Sequence, residues 1–391
     1  QNDRDPARRL RIGYLSADFG IHATMHLMRS FFALHDRADF EVAGYSIGKA
    51  DSSDYRREVE ASFDRFVDLA AEGVEAAAHR IAADRIDILV DLKGHTSGNR
   101  MEILALRPAP LQVAWLGFPG TTGARFIDYA VVDRVILPPD EAATFTEALC
   151  YLPDCYQVTD AGQPIADRPA SRAELGLAED GFVLASFNQA YKLEPAMFDL
   201  WADLLKAIPR SVLWLWRSND AMEANLRRET EARGLGPDRL VFAPGMAKPQ
   251  HLRRLALADL GLDTRICNGH TTTTDMLWAG LPVVALRGRH LASRVSASLL
   301  GAVGLPELLA EDLEGYRARV LHYAQEPDAL AALRAKLAAN RTTAPLFDTP
   351  RLARNLEAIY RTIWRRHCAG EPPSLLMPPA APAAEGDACK D

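Results

Sequence analysis

Short runs of β-branched and apolar residues alternate along this chain with stretches of helical periodicity, and this alternation restricts the possible folds more than any other feature. In the first half the apolar runs begin the segments RLRIGYLSADFG, FEVAGYSIG, DILVDLKGH, LQVAWLGFPGTTG and DYAVVDRVIL. Strands separated by helices of about 10 to 15 residues are typical of βαβ units with right-handed crossovers. The sequence therefore predicts an α/β fold with a doubly wound parallel sheet.

The same alternation starts again after a polar, proline-containing stretch at 160–173, which we interpret as a linker. A chain of 391 residues is longer than one hydrophobic core usually supports. We therefore predict two α/β lobes, at 9–160 and 174–345, that face each other across a cleft. A helix at 346–370 is expected to pack back on the first lobe, and the proline- and alanine-rich residues 371–391 are expected to be disordered.

Charge, hydropathy and cysteine usage exclude several classes of protein. The formal net charge of −7 argues against nucleic acid as a partner. No apolar run approaches the roughly 20 residues of a membrane helix, and no signal peptide is recognisable, so a cytoplasmic location is expected. The five cysteines form no CxxC pair, which argues against a disulfide framework or a zinc site. Because the chain starts without methionine and runs directly into a strand, we expect a fragment of a longer protein.

Six polar segments follow apolar runs, where strands of the predicted sheets end. Ligands of open parallel sheets bind beyond the carboxyl ends of the strands. Six segments of this kind in two lobes favour one composite site in the cleft over scattered turns. The segments are SADFGIHATMH, DLKGHTSGNR, GFPGTTG, FNQAYK, APGMAKPQHLRR and CNGHTTTTD.

The segment CNGHTTTTD places a histidine and four threonines before an apolar helix. One interpretation is a simple helix start, in which Thr272 and Asp275 form a capping-box-like pair. One cap residue needs no row of hydroxyls, however. Exposed N–H groups, the positive end of the helix dipole and several hydroxyls together form a receptor for an anion such as phosphate.

Several longer motifs, in the same order, resemble the catalytic region of the O-linked N-acetylglucosamine transferase and SPINDLY family over residues 9–373. They include RIGYLSADFGIHATMHLM, LRPAPLQVAWLGFPGTTG, FNQAYKLEPAMFDLWADLLKAIPRSVLWLWR, HLRRLALADLGLDTRICNGHTTTTDMLWAGLPVV and LASRVSASLL. The resemblance implies a GT-B glycosyltransferase with two Rossmann-like domains, an inverting and metal-independent reaction, and a nucleotide-sugar donor held mainly by the second lobe. It also implies tetratricopeptide repeats before this region, and the absence of a long insertion between the lobes resembles the compact bacterial branch.

The resemblance assigns the anion site to residues of the second lobe. Lys192 would stabilise charge on the departing diphosphate, with Gln189 beside it as a phosphate or sugar contact. His270, Thr271 and Thr272 would hold the pyrophosphate at the helix N-terminus. Without the resemblance, composition alone favours a solvated lysine at a helix start.

The resemblance likewise assigns the nucleoside end. Asp275 would accept hydrogen bonds from the ribose hydroxyls. Lys248, His251 and Arg254 match a set that uridine-nucleotide enzymes of the family carry, and a flat imidazole suits stacking on a pyrimidine. The alternative is an ordinary basic helix surface, on which His251 and Arg254 share one face.

In the first lobe, His22 is either the general base or a residue that orients the donor. Asp91 and His95 are alternative or auxiliary proton acceptors, although Asp91 also fits a turn-capping role. His22 and His26 are spaced as a metal pair, but no third ligand accompanies them, so we expect no metal. The segment PGTTG offers sugar contacts or a tight turn, at Pro119, Gly120 and Thr121.

The predicted reaction is transfer of N-acetylglucosamine from UDP-N-acetylglucosamine to serine or threonine hydroxyls of proteins, with no cofactor. Features similar to the SPINDLY branch leave open transfer of fucose from GDP-fucose, or of another sugar to flagellin or a surface protein. A UDP-N-acetylglucosamine 2-epimerase is a further alternative, but the order of the motifs argues against it. A non-catalytic scaffold is another, but such a protein has no physical need for Lys192, His22 and the His270–Asp275 cluster together.

Overall fold

The structure is a computed structural model that describes residues 2–168 and 171–378. Its first lobe is built on seven parallel strands and four helices, joined by loops and short 3₁₀ turns. The strands are β1 (Leu10–Ser16), β2 (Phe40–Ser46), β3 (Arg65–Asp68), β4 (Ile88–Asp91), β5 (Leu111–Ala114), β6 (Tyr129–Asp133) and β7 (Ala148–Leu152). The helices are α1 (Ala23–Met28), α2 (Asp54–Ala61), α3 (Val74–Ala83) and α4 (Met101–Ala105).

The second lobe is built on six parallel strands. The strands are β8 (Val183–Ser186), β9 (Val212–Trp216), β10 (Leu240–Ala243), β11 (Leu260–Leu262), β12 (Val283–Leu286) and β13 (Leu309–Ala310). The helices are α5 (Pro195–Ala207), α6 (Asp220–Ala232), α7 (Lys248–Leu255), α8 (Thr271–Trp278), α9 (Val295–Ala302), α10 (Leu313–Gln325) and α11 (Pro327–Asn340). The long helix α12 (Thr349–Cys368) follows them.

The strand order explains where a ligand site can form. The first sheet has the order β3-β2-β1-β4-β5-β6-β7 and the second β10-β9-β8-β11-β12-β13. In each, the direction of winding reverses beside the first strand of the lobe, between β1 and β4 or between β8 and β11, and this reversal opens a crevice at the carboxyl edge. The predicted α/β fold with two doubly wound parallel sheets is confirmed.

The central strands are apolar on both faces because helices cover both sides of each sheet. All four residues of β4, β8 and β12 are buried. The alternating pattern that would identify a half-exposed strand is therefore missing. The sequence also did not predict the two edge strands of the first sheet, β7 and the short β3, in which only Val67 is buried.

Helix α12 returns to the first lobe and joins its core. The Glu357 carboxylate accepts a hydrogen bond from His35 Nδ1 at 2.9 Å, and the hydroxyls of Tyr360 and Tyr14 lie 3.1 Å apart. Ile363 and Trp364 are fully buried. The chain therefore crosses between the lobes twice.

The segment after α12 departs from the sequence prediction. Disorder was expected from residue 371, but Leu376 forms two backbone hydrogen bonds with β7, through the Leu149 carbonyl at 2.8 Å and the Tyr151 N–H at 2.9 Å. Strand β7 is the edge of its sheet and has unpaired backbone groups to offer. Residues 379–391 of the predicted tail lie outside the described residues.

The stretch between the lobes is held against both of them. Ser30 donates a hydrogen bond to the Asp160 carboxylate at 2.7 Å, and the Trp278 indole N–H donates to the Gln163 carbonyl at 3.1 Å. Direct contacts between the lobes include a hydrogen bond from Gln157 Nε2 to Thr274 Oγ1 at 2.6 Å. No helix within the described residues is both long and apolar enough to cross a membrane.

Candidate functional site

A cavity of about 540 Å³ lies between the two lobes, at the carboxyl ends of both sheets. Its volume falls within the range of roughly 300–1,000 Å³ that is usual for small-molecule sites. The first lobe contributes Ile21, Ala23, His26, Ser53, Asp54 and Tyr55. The second lobe contributes Phe187, Gln189, Trp216, Met246, Ala247, Lys248, Pro249, His251, Thr271, Thr272 and Asp275.

The four threonines at the start of α8 divide into two pairs. Thr271 and Thr272 line the cavity. Thr273 and Thr274 are buried, and their hydroxyls contact Ser296 Oγ at 3.0 Å and the His270 carbonyl at 3.1 Å. Only the first pair can therefore present hydroxyls, and the N–H groups of the first helical turn, to an anion.

The predicted capping box between Thr272 and Asp275 is wrong. The N-cap of α8 is His270, and its side chain makes no capping hydrogen bond. Asp275 instead binds the Lys248 ammonium, with both carboxylate oxygens 2.6 Å from Nζ. Burial raises the pKa of Asp275, and the Lys248 charge opposes this shift. The Asp275 side chain, which its spacing from Thr272 assigned to the helix cap, thus forms an ion pair with Lys248 on the neighbouring helix α7.

His270 and Lys192 lie together beside the start of α8. Among residues 2–168 and 171–378, His270 Nε2 is a buried atom without a hydrogen-bond partner. Burial, followed by the nearby Lys192 charge, lowers the pKa of His270 to about 3. Lys192 Nζ donates to the Asn268 carbonyl at 2.6 Å, and no carboxylate of the described residues forms an ion pair with it. The result is a lysine ammonium held by a backbone carbonyl and an imidazole nitrogen without a hydrogen-bond partner among the described residues, both beside a helix N-terminus.

His251 forms an aromatic wall of the cavity with Phe187. Their ring centroids are 5.3 Å apart at an interplanar angle of 62°. Nδ1 of His251 accepts a hydrogen bond from Arg254 Nη2 at 3.0 Å, which assigns the remaining proton to Nε2. Burial, with the charges of Arg254 and Lys248, lowers the pKa of His251 to about 3, so the ring is neutral at physiological pH.

Arg254 does not line the cavity, although the sequence placed it in the nucleotide site. It is 1% exposed, and Nη1 donates to the Pro244 carbonyl at 2.6 Å. Burial lowers the pKa of its guanidinium to about 10. Arg254 therefore acts on the site by holding the His251 ring. Gln189 does line the cavity, and its Oε1 accepts from Ser218 Oγ at 3.4 Å.

In the first lobe, the structure places His22 at the N-cap of α1. Nδ1 of His22 lies 3.2 Å from the Thr24 N–H and 3.4 Å from Asp18 Oδ2. The side chain is 47% exposed, and it lies between Ile21 and Ala23, which line the cavity, but is not itself part of the lining.

The structure places Asp91 and His95 against their own loops. The Asp91 carboxylate is buried and accepts from the N–H groups of Lys93 and Gly94 at 3.0 and 2.8 Å. Burial raises its pKa to about 6, against the effect of these hydrogen bonds. His95 Nε2 is 2.7 Å from the Thr122 carbonyl. Neither residue lines the cavity. The contacts of Asp91 are those of a carboxylate that caps its own turn.

The PGTTG loop follows β5 and also lies outside the cavity lining. Thr121 Oγ1 donates to the Glu147 carboxylate at 2.6 Å, and Gly120 and Asp91 border a separate void of about 20 Å³. Within the described residues, no group of three or more His, Cys, Asp or Glu side chains is arranged to hold a metal ion.

Sequence reasoning missed most of the first-lobe wall. Tyr55 lies in the cavity, and its hydroxyl is 3.0 Å from His26 Nδ1. Burial and the Lys248 charge lower the pKa of His26 to about 3. The polar segment DSSDY follows β2, which neighbours β1 in the sheet, so the strand-end rule applied to β2 would have found this wall.

The model of glycosyl transferase family 41 matches residues 1–167 and 166–356. A probable UDP-N-acetylglucosamine–peptide N-acetylglucosaminyltransferase, SEC, of Arabidopsis thaliana is 43% identical over 94% of this chain and 38% of its own length. The probable transferase SPINDLY of the same plant is 34% identical over 96% of this chain and 41% of its own length. The chain thus spans about two fifths of these relatives.

Solved structures agree with the fold. A mutant of the O-GlcNAc transferase of Thermobaculum terrenum superimposes with a TM-score of 0.87 at 34% identity, covering 94% of this chain and 70% of that one. Anabaena HepE, solved with UDP and glucose, gives a TM-score of 0.62 at 14% identity over 90% of this chain and 100% of its own, which bears on the fold alone. The expected GT-B arrangement of two Rossmann-like lobes is confirmed.

Proposed function

Because the chain belongs to glycosyl transferase family 41, we propose that it is the catalytic region of an enzyme that transfers N-acetylglucosamine from UDP-N-acetylglucosamine to serine or threonine hydroxyls of proteins. The observation that carries this proposal is the pairing of an anion receptor with an aromatic wall beside one interlobe cavity. Thr271 and Thr272 at the start of α8, with Lys192 nearby, suit a diphosphate, and the His251–Phe187 wall suits a flat base.

The proposed chemistry is a direct displacement at the anomeric carbon with inversion. The acceptor oxygen attacks this carbon while the bond to the diphosphate oxygen breaks, and the electron pair leaves with UDP. Lys192 and the N-terminus of α8 would neutralise the negative charge that develops on the diphosphate. In other transferases a metal ion has this role. We therefore propose that the reaction needs neither a metal nor another cofactor. His22, exposed at the first-lobe side, would accept the proton of the hydroxyl.

The names of the relatives support UDP as the nucleotide and a peptide as the acceptor. The competing reactions are transfer of fucose from GDP-fucose, transfer of another sugar to flagellin, and epimerisation of the sugar without an acceptor. Tetratricopeptide repeats in the full-length protein and a cytoplasmic location, consistent with the free cysteines, remain part of the proposal.

The first test is calorimetric titration of the purified chain with UDP, UDP-N-acetylglucosamine, GDP and GDP-fucose. We expect the two UDP ligands to bind and the Lys192→Ala variant to bind them about 10-fold more weakly, because a charge-assisted hydrogen bond is lost. Lys206→Ala serves as the matched control, since Lys206 lies on the exposed face of α5 beside Asp203.

The outcomes separate the alternatives. Binding of GDP ligands alone would overturn the UDP assignment and the role of His251 in it. Absence of all binding would favour a scaffold. Turnover of UDP-N-acetylglucosamine to an epimer without any acceptor would replace transfer by epimerisation, whereas mass spectrometry of a serine-containing peptide would report transfer as a gain of one N-acetylhexosamine.

A further inference from the structure

A buried ion pair lies directly behind His22 in the first lobe. Asp18 follows β1, and its Oδ2 accepts from Lys93 Nζ at 2.7 Å. The Lys93 side chain is 2% exposed and the Asp18 side chain 12%. The same Oδ2 atom lies 3.4 Å from His22 Nδ1. Lys93 follows β4, so the three residues meet where the winding of the first sheet reverses.

Nδ1 of His22 thus has two competing partners. The Thr24 N–H, an otherwise unpaired amide at the start of α1, approaches it at 3.2 Å and requires a lone pair on Nδ1. The Asp18 carboxylate requires a proton there. If Nδ1 accepts, the neutral ring carries its proton on Nε2 and cannot take another at that atom. If Nδ1 donates, Nε2 has the free lone pair of a base.

In this structure only the contact from the Thr24 N–H has hydrogen-bond geometry, and the 3.4 Å contact with Asp18 Oδ2 is a charge contact that becomes a hydrogen bond when Nδ1 carries the proton. A hydrogen bond to a carboxylate is roughly twice as strong as one between neutral groups. Lys93 holds the carboxylate in place, so little mobility is lost when His22 also binds it. The Thr24 N–H, at the start of α1, offers only the weaker hydrogen bond between neutral groups.

We propose that Asp18, fixed by Lys93, is a positioning residue that holds His22 with its proton on Nδ1, so that Nε2 accepts the proton of the acceptor hydroxyl. This inference rests on the proposed function. During transfer the hydroxyl O–H bond breaks, its proton moves to Nε2, and the oxygen forms the bond to the anomeric carbon as the diphosphate leaves with its electron pair. The imidazolium then faces the Asp18 carboxylate until Nε2 releases the proton to solvent.

The charged and titratable groups that face His22 are Asp18 on its own loop, Lys93 from the β4 side and His26 one turn along α1. Burial lowers the pKa of His22 most, the Asp18 charge raises it, and the Lys93 charge lowers it. Removing the Asp18 charge leaves only lowering effects. Transfer activity falls at low pH because His22 becomes protonated. In Asp18→Asn this fall, the acid limb of the pH profile, therefore occurs at lower pH.

The kinetic test compares wild type, Asp18→Asn and a matched control on UDP-N-acetylglucosamine and a serine peptide. We expect Asp18→Asn to lower kcat about 100-fold, the scale of general-base catalysis, with the Kd for UDP within about twofold of wild type. The control is Asp128→Asn, because the Asp128 side chain is also 12% exposed and forms an ion pair, with Arg107 at 3.0 Å. Asp128 directly precedes β6, at the amino ends of the strands and so on the side of the sheet away from His22. It should leave kcat and the pH profile unchanged.

A second measurement does not depend on transfer activity. Long-range ¹H–¹⁵N NMR of histidine-labelled protein in complex with UDP, with His22 assigned by its loss in His22→Gln, reports which ring nitrogen is protonated. We expect Nδ1–H in wild type and Nε2–H in Asp18→Asn.

A wild-type enzyme with Nε2–H, or an Asp18→Asn variant with unchanged kcat and acid limb, would overturn the role of Asp18. These results differ from failure of the proposed function itself, in which wild type would neither bind UDP nor modify the peptide. If Asp18→Asn does not fold, the tautomer of the wild-type complex still decides the proposal.

Discussion

His251 illustrates how one side chain is prepared for a ligand at the level of single atoms. Arg254 fixes the ring through Nδ1, and the ring faces the cavity beside Phe187. We expect His251→Ala to weaken UDP binding about 10-fold, because a preoriented aromatic contact is lost. Calorimetry would measure this against His322→Ala, a change to an exposed histidine in the last turn of α10. Equal affinities in the two variants would contradict the stacking role.

The low pKa of His251 also predicts how the free energy of unfolding depends on pH. The ordinary histidine pKa is near 6.5, and burial lowers that of His251 to about 3. Between these values the unfolded chain binds the proton and the folded chain does not, so the free energy of unfolding falls as pH drops from 6.5 towards 3. His251→Phe removes this contribution.

We expect the loss of stability between pH 7 and pH 4 to be smaller in His251→Phe than in wild type by on the order of 3 kcal/mol. Urea unfolding at the two pH values measures this difference. His322→Phe provides the comparison, and it should lose as much stability as wild type. An identical pH dependence in all three proteins would mean that His251 is protonated in the folded state.

At the scale of elements, the four consecutive threonines at the start of α8 divide into residues that face the cavity and residues that pack inside the protein. Thr272 lines the cavity, whereas Thr274 bridges the lobes through Gln157. We expect Thr272→Val to weaken UDP binding several-fold with little change in Tm, because only a hydroxyl toward the ligand is lost. Thr274→Val should lower Tm instead, because it leaves the buried Gln157 amide unpaired. Calorimetry and thermal unfolding of both variants would reveal a reversed pattern if the assignment is wrong.

At the scale of the whole molecule, α12 makes the first lobe depend on the far end of the chain. The helix buries eight residues, including Leu356, Tyr360, Ile363 and Trp364. Four large side chains at about 2 kcal/mol each amount to about 8 kcal/mol, comparable with the whole stability of a typical domain. We expect a chain ending at residue 345 to be insoluble or unfolded by circular dichroism.

A chain ending at residue 378 is the control for this truncation, since it keeps every described contact of α12. It should unfold at the same Tm as the full chain. A stable, folded chain ending at 345 would contradict the view that α12 completes the first-lobe core.

The sequence by itself determined the class of fold, the two lobes and the helix start at which we propose an anion receptor. Alternating apolar runs and helical patterns report local backbone preference, and the row of threonines after Gly269 reports a helix start. The segments that contain the cavity-lining residues of α7 and α8 were predicted because they follow strands within one lobe, and the family resemblance assigned the individual residues.

Only the tertiary structure decided which side chains meet. The pairing of Lys248 with Asp275, the position of Arg254 behind His251, and the entry of Tyr55 into the cavity depend on strand order and on the approach of two lobes. Asp91 looks equivalent to other strand-end residues in the sequence, yet its carboxylate turns to its own loop. Such choices arise because hydrogen bonds and charges form between elements that are distant in sequence, and no local pattern records their partners.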